Sequence, residues 1–252
     1  MRATPSDPRP PARAHRSMPV HARSTPARPL WRNAGWSLAG EGFHALGQFA
    51  TLIILARLGS VDVLGQYTLG LAIATPAILL TNLHLRPAYV IDPGRWRYDQ
   101  YLTLRLLTIP LALVLTTTVA LWGDYDRRTV LMVVAVGGLR GWEALSDMLL
   151  GPTQKAERMA AVGRSRGLRG LLTALGLGLG LGLTGDALVG MALALALLGG
   201  LTLGHDAMVA RRFAVARPRP PCRALLGLIR HTLPIGLAAF ILSASASTPA
   251  FL

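Results

Sequence analysis

Apolar residues dominate the chain in runs of roughly 17–23, the length a helix needs to cross about 30 Å of hydrocarbon. The runs fall at about 34–56, 64–84, 101–121, 129–149, 167–183 and 187–204, and a seventh begins near Leu225 and continues to the C-terminus. Backbone polar groups in lipid must be satisfied within their own segment, so each run predicts a helix. The expected fold is therefore all-α and polytopic. A basic tail at 1–30 precedes a six-span lobe at 31–224, and 225–252 opens a further unit with a seventh, truncated span. In the fifth run, "LLTALGLGLGLGLTG", Gly176 and Gly180, and Gly178 and Gly182, stand at the spacing that lets helix backbones approach closely. Drift toward small residues explains the same pattern, and the sequence leaves both readings open.

Two of the runs carry polar stripes. At 100° per residue, Arg140, Glu143 and Asp147 of "VGGLRGWEALSDMLLG" lie within about 60° of one another on a helix. Arg140 and Glu143, at i and i+3, are placed to pair. In the first run Asn33, Ser37, Glu41, His44, Gln48 and Thr51 occupy an arc of about 80°. A charged side chain at a helix centre costs about 2.5–3.5 kcal/mol on insertion scales, and such residues face a bundle interior or a wet cavity. The stripes therefore predict a polar cavity, with Arg140, Glu143, Asp147 and Gln48 on its wall. An interhelical salt bridge that only fixes packing is the alternative. Glu41-x-x-His44 is also half of a di-metal bundle motif, but no second copy exists, so no metal or cofactor is expected. His84 and His205 stand at span ends and read as interfacial.

Charge then orients the bundle. The chain is 252 residues long, 52% hydrophobic and 15% charged, with a formal net charge of +14. Its basic residues crowd the tail and alternate gaps: Arg86, Arg95, Arg97 and Arg105 around the second, Lys155, Arg158, Arg164, Arg166 and Arg169 around the fourth, and Arg211, Arg212, Arg217, Arg219, Arg223 and Arg230 around the sixth. The other gaps hold only Arg57, Arg127 and Arg128. Positive charge marks the cytoplasmic side, so the N-terminus is expected inside, with Asp124 and Asp186 outside. This distribution, without nucleic-acid-binding motifs, excludes a nucleic-acid partner. Arg86 and Arg105 flank the cytoplasmic mouth, and Arg105 is expected to snorkel to the interface. The tail, rich in Arg and Pro, is too polar to bury and reads as disordered. The one cysteine, Cys222, excludes an internal disulfide. No gap is long enough for a folded enzyme domain, and no catalytic loop motif occurs, so a non-enzyme is expected.

The stretch "SLAGEGFHALGQFATLIILARLGSVDVLGQYTLGLAIATPAILLTNLHLRP" resembles the opening two spans of bacterial polysaccharide and O-antigen flippases. These belong to the multidrug, oligosaccharidyl-lipid and polysaccharide exporter superfamily. "EALSDMLLGPTQKAERM" resembles the end of their fourth span and the loop after it, and the resemblance covers about residues 31–252. It implies two helical lobes around a central cavity in the bacterial inner membrane, the N-terminus cytoplasmic. It implies alternating-access movement of an undecaprenyl-diphosphate-linked oligosaccharide, an O-antigen or exopolysaccharide unit, from the inner to the outer leaflet. Arg140 would then meet the diphosphate, Arg86 would stand at the cavity mouth, and Glu41 with His44 would bind a coupling proton or cation. The implied partners are the lipid-linked oligosaccharide, membrane lipids, and a separately encoded second lobe or the polymerase machinery. "LPIGLAAFILSASASTPAFL" matches a seventh span, so the chain corresponds to an N-terminal half, expected alone to be degraded, to self-associate or to need its second lobe. The alternatives are a drug or cation antiporter of the same superfamily and a lobe that only binds a partner.

Overall fold

The computed structural model describes residues 30–214 and 222–247, and among these all regular structure is helical. The helices are α1 (Leu30–Leu58), α2 (Val61–Asn82), α3 (Leu85–Ile91), α4 (Tyr98–Trp122), α5 (Arg127–Leu149), α6 (Gly151–Lys155), α7 (Met159–Thr184), α8 (Ala187–Gly200), α9 (Ala207–Arg211) and α10 (Cys222–Ser247). A π-helical turn, Leu201–Asp206, joins α8 to α9. Six stretches are long and apolar enough to span a membrane: Leu30–Leu58, Val61–Ile91, Tyr98–Trp122, Arg127–Lys155, Met159–Thr184 and Ala187–Arg211. Leu225–Ala238 within α10 is a shorter apolar segment. The protein is an all-α polytopic membrane protein. The basic tail lies outside the described residues except for Leu30, which begins α1.

Short polar residues set the helix starts. Ser60 Oγ accepts from the Val63 N–H that opens α2, and the Asp126 carboxylate accepts from Arg128 and Thr129 at the start of α5. Asp186 accepts from Leu188 at the start of α8. Each satisfies donors that the helix itself leaves free. The second span differs from the sequence reading. Leu83 and His84 adopt left-handed backbone, φ 49° and 48°, so the helix breaks and restarts as α3. Arg86 thereby sits on a helix folded against the bundle, not in an open gap.

The helices do not pack in chain order. The main partner of α1 is α7; α7 also packs on α8, and α5 lies at the centre against α2, α4 and α8. Glycine allows the closest crossings. A Cβ on Gly40 would fall 2.5 Å from the Cα of Gly163, and one on Gly47 at 2.5 Å from that of Gly170. On the other face of α7, a Cβ on Gly176 would fall 2.6 Å from the Ala194 Cα, and Gly180 meets Gly190. Gly176 and Gly180 are thus packing positions, whereas Gly178 and Gly182 meet only the side chains of Ile54 and Leu58.

Two apolar layers result. One joins Leu55, Tyr67, Met132, Val136, Leu177, Met191 and Leu198. The other joins Leu85, Tyr98, Tyr101, Leu104, Met148 and Leu228 toward the opposite end. On α2, α5 and α8–α9 the polar positions fall between residues of these two layers. Large apolar side chains on the outer faces, among them Phe43, Leu107, Val114 and Leu175, remain exposed, as a surface turned to lipid requires.

Candidate functional site

The polar layer lines an open cavity of about 340 Å³. Glu41, His44 and Gln48 reach it from α1, Thr75 and Asn82 from α2, Arg140, Glu143 and Asp147 from α5, and Arg166 and Arg169 from α7. Glu41, His44 and Gln48 of one stripe and the whole of the other therefore face one space, although α1 and α5 are held together mainly through α7; Asn33, Ser37 and Thr51 of the α1 stripe do not line it.

Charge pairing organises the wall. An Arg140 guanidinium nitrogen lies 2.7 Å from the Glu143 carboxylate, the i, i+3 pair that the spacing predicts. Asp147 is shared: Arg86 pairs with it from α3, and Arg166 lies 3.2 Å from the same oxygen. Arg166 also pairs with Glu41. One guanidinium on α7 thus links carboxylates of α1 and α5. His44 and Gln48, one turn apart, approach to 3.1 Å, while the other His44 ring nitrogen, Nδ1, is buried without a partner.

Behind the wall lies a second cluster. Asp206, fully buried at the end of the π-helical turn, accepts from Ser146 and lies 3.7 Å from Arg169. Arg169 also donates to Ser146 and, at 3.3 Å, to Ser165. The wider turn of a π-helix shifts the residues beyond it around the axis. Here it coincides with the point where Asp206 meets α5 and α7, and His205 Nδ1 stands 2.9 Å from the same carboxylate.

Several placements differ from the sequence reading. Arg86 does not line the cavity. It stands behind Asp147, with its Nε donating to Gln154 at 2.7 Å, because α3 folds back over the end of α5. Arg105 does not snorkel. It is 1% exposed and turns inward to the side chain of Asn82, a half-buried acceptor on the cavity wall. Arg166 and Arg169, counted among loop charges, belong to α7, which begins at Met159, well before the apolar run. Their i, i+3 spacing beside Ser165 and Gly170 was the available signal. Asp206 and Asn82 had no comparable mark. Among the described residues no group of three His, Cys, Asp or Glu converges to hold a metal ion.

Comparison with known proteins adds one likeness. The chain is similar to a Staphylococcus aureus protein named capsular polysaccharide biosynthesis protein CapF, 24% identical over 143 residues. The matched stretch is 56% of this chain and 35% of that protein, so the chain spans about a third of its relative's length. No family profile and no solved structure matches the chain. The likeness and the apolar helices together fit a polysaccharide-related membrane protein.

Proposed function

We propose that the protein forms the N-terminal lobe of a flippase that moves a lipid-linked oligosaccharide, an O-antigen or exopolysaccharide unit on undecaprenyl diphosphate, across the bacterial inner membrane. The observation that carries this reading is the charged cavity between apolar layers, because a lipid diphosphate needs cations along an otherwise apolar route. The likeness to a capsular polysaccharide biosynthesis protein supports the substrate class.

The ion pairs give the mechanism. On the cavity wall Arg140 is neutralised by Glu143 and Arg166 by Glu41 and Asp147. An entering diphosphate competes with these carboxylates and takes Arg140. It leaves as Glu143 re-forms its pair, so binding is never so tight that release stalls. Glu41, only half buried and one turn from His44, is placed to take up a proton or cation when the diphosphate draws Arg166 away. In this reading the N-terminus is cytoplasmic and no covalent chemistry occurs.

The test is Arg140→Ala in the complete transporter of the producing bacterium. Surface glycan is expected to disappear while the protein remains inserted, and Arg140→Lys is expected to retain part of the export, since charge matters more than fork geometry in a wet cavity. Normal glycan export by Arg140→Ala would leave the pair a packing device. Unchanged glycan with altered drug sensitivity would point to the antiporter.

A further inference from the structure

A second cavity, of about 400 Å³, lies where the start of α7, the α6 segment and α9 meet. Its wall differs in kind from that of the central one. Arg158, Arg164, Arg212 and His205 line it, with Thr153, Ala160 and Ala161, and no carboxylate is among the lining residues. Arg158 and Arg212 make no ion pair with an acid among the described residues. Arg158 lies over the Phe213 ring at 6.0 Å, and Arg164 lies over Trp36 at 5.9 Å, so aromatic faces hold both guanidinium groups in place.

Two further features point to an anion. The N-terminus of α7 opens here without a side-chain cap; the Ala161 N–H donates to the Arg158 carbonyl at 3.2 Å, and the Met159 and Ala160 N–H groups are left for an anion. Independently, Thr153 is fully buried, lines the cavity, and its hydroxyl has no partner. The buried helical threonines Thr51, Thr81, Thr116 and Thr232 turn the hydroxyl back to the carbonyl one turn earlier, while Thr202, likewise unpaired, does not line this cavity. Thr153 makes no such bond, and a buried hydroxyl left unpaired is costly unless something fills the space beside it.

We propose that this cavity binds the phosphodiester headgroup of an anionic phospholipid, phosphatidylglycerol being the simplest, with Arg158 and Arg212 meeting the phosphate and Thr153 donating to it. The cavity edge favours a lipid over free phosphate. Met208 and Phe213 on its rim are 58% and 40% exposed, an apolar surface for the glycerol and upper acyl chain. Basic pockets between transmembrane helices on the cytoplasmic side are suited to such headgroups. The site also touches the interior of the bundle, because His205 on its wall contacts Asp206, which holds Arg169 of the central cavity.

The test is native mass spectrometry of the full chain released from detergent, titrated with phosphatidylglycerol, phosphatidylcholine or inorganic phosphate. The wild type is expected to retain phosphatidylglycerol about tenfold more tightly than phosphatidylcholine, and the Arg158→Ala/Arg212→Ala pair to lose that preference. The corresponding lysine pair should keep most of it, and Arg127→Ala/Arg128→Ala, at the other end of the bundle, should leave it intact. Thr153→Val is the sharper variant, since it removes an unpaired hydroxyl without changing shape. It should fold at least as well as wild type yet bind the lipid about fivefold more weakly, the loss of one hydrogen bond. Equal retention of the two lipids, undiminished binding by Thr153→Val and by the alanine pair, or displacement of the lipid by equimolar inorganic phosphate would overturn the assignment.

Discussion

Arg169 and Asp206 show what a single residue contributes here. Asp206 is fully buried and depends on Arg169, Ser146 and His205 for its charge. Removing one partner of such a pair strands the other, at a cost of about 3–5 kcal/mol, whereas replacing both with apolar groups is often neutral. Arg169→Ala is therefore expected to lower the unfolding midpoint in detergent sharply, and the Arg169→Met/Asp206→Leu double variant to recover most of it. Asp92, in the connection between α3 and α4, has a different sensitivity. Burial pushes its carboxyl up, but N–H donors from Trp96, Arg95 and Gly94 and the Tyr101 hydroxyl outweigh that and hold it below the usual aspartate range. A lowered folded value means that stability is present above the ordinary aspartate pKa of about 3.9 and is lost as pH falls through the lower folded one. The fluorescence of Trp96, with the other tryptophans replaced, should stay constant down to about pH 4 and change only in stronger acid. Asp92→Asn should abolish that transition.

At the scale of elements, the crossing of α1 and α7 governs the site. Gly40 against Gly163 and Gly47 against Gly170 bring the two backbones close enough for Arg166 to reach Glu41. A side chain there has backbone in its way, not a flexible tip that yields. Gly47→Ala is expected to cost about 1–3 kcal/mol, as overpacking in close-packed interiors does. If the protein works as proposed, it should also weaken glycan export by drawing Glu41 away from Arg166. Gly42→Ala on the same helix, where a Cβ meets nothing within 4 Å, is the control and should be neutral or slightly stabilising. Thermal unfolding of both variants in detergent checks the contrast. The π-helical turn plays a comparable part for α8, since without it Asp206 would present a different face of the helix to Arg169.

For the whole molecule, two sets of contacts mark opposite ends of the bundle. Arg128 and Asp186, 2.7 Å apart, tie the start of α5 to the α7–α8 connection. Lys155 Nζ, 2.7 Å from the Asp92 carbonyl, ties the end of α6 to the α3–α4 connection at the other end. Positive charge at the second end predicts that it faces the cytoplasm. In a Cys222→Ser background, Asp124→Cys and Asp186→Cys should react with an impermeant maleimide in intact spheroplasts. Arg95→Cys should react only after permeabilisation. The reverse pattern would invert the bundle.

Much of this architecture follows from the sequence alone. Crossing hydrocarbon demands long apolar runs whatever their neighbours are, so the class of fold and the six spans are legible locally. The two polar stripes are legible for the same reason, because the angle between residues on one helix depends only on their spacing. The tertiary structure alone decided which helices adjoin. It paired α1 with α7 ahead of its chain neighbour, drew Arg166 and Arg169 from an apparent loop into the bundle, set Arg86 behind Asp147 and turned Arg105 inward to Asn82. Those outcomes depend on the depth and rotation of each helix, which close glycine contacts set between segments far apart in the chain. A hydropathy average places an arginine outside the membrane until the acid that neutralises it, on another helix, is known.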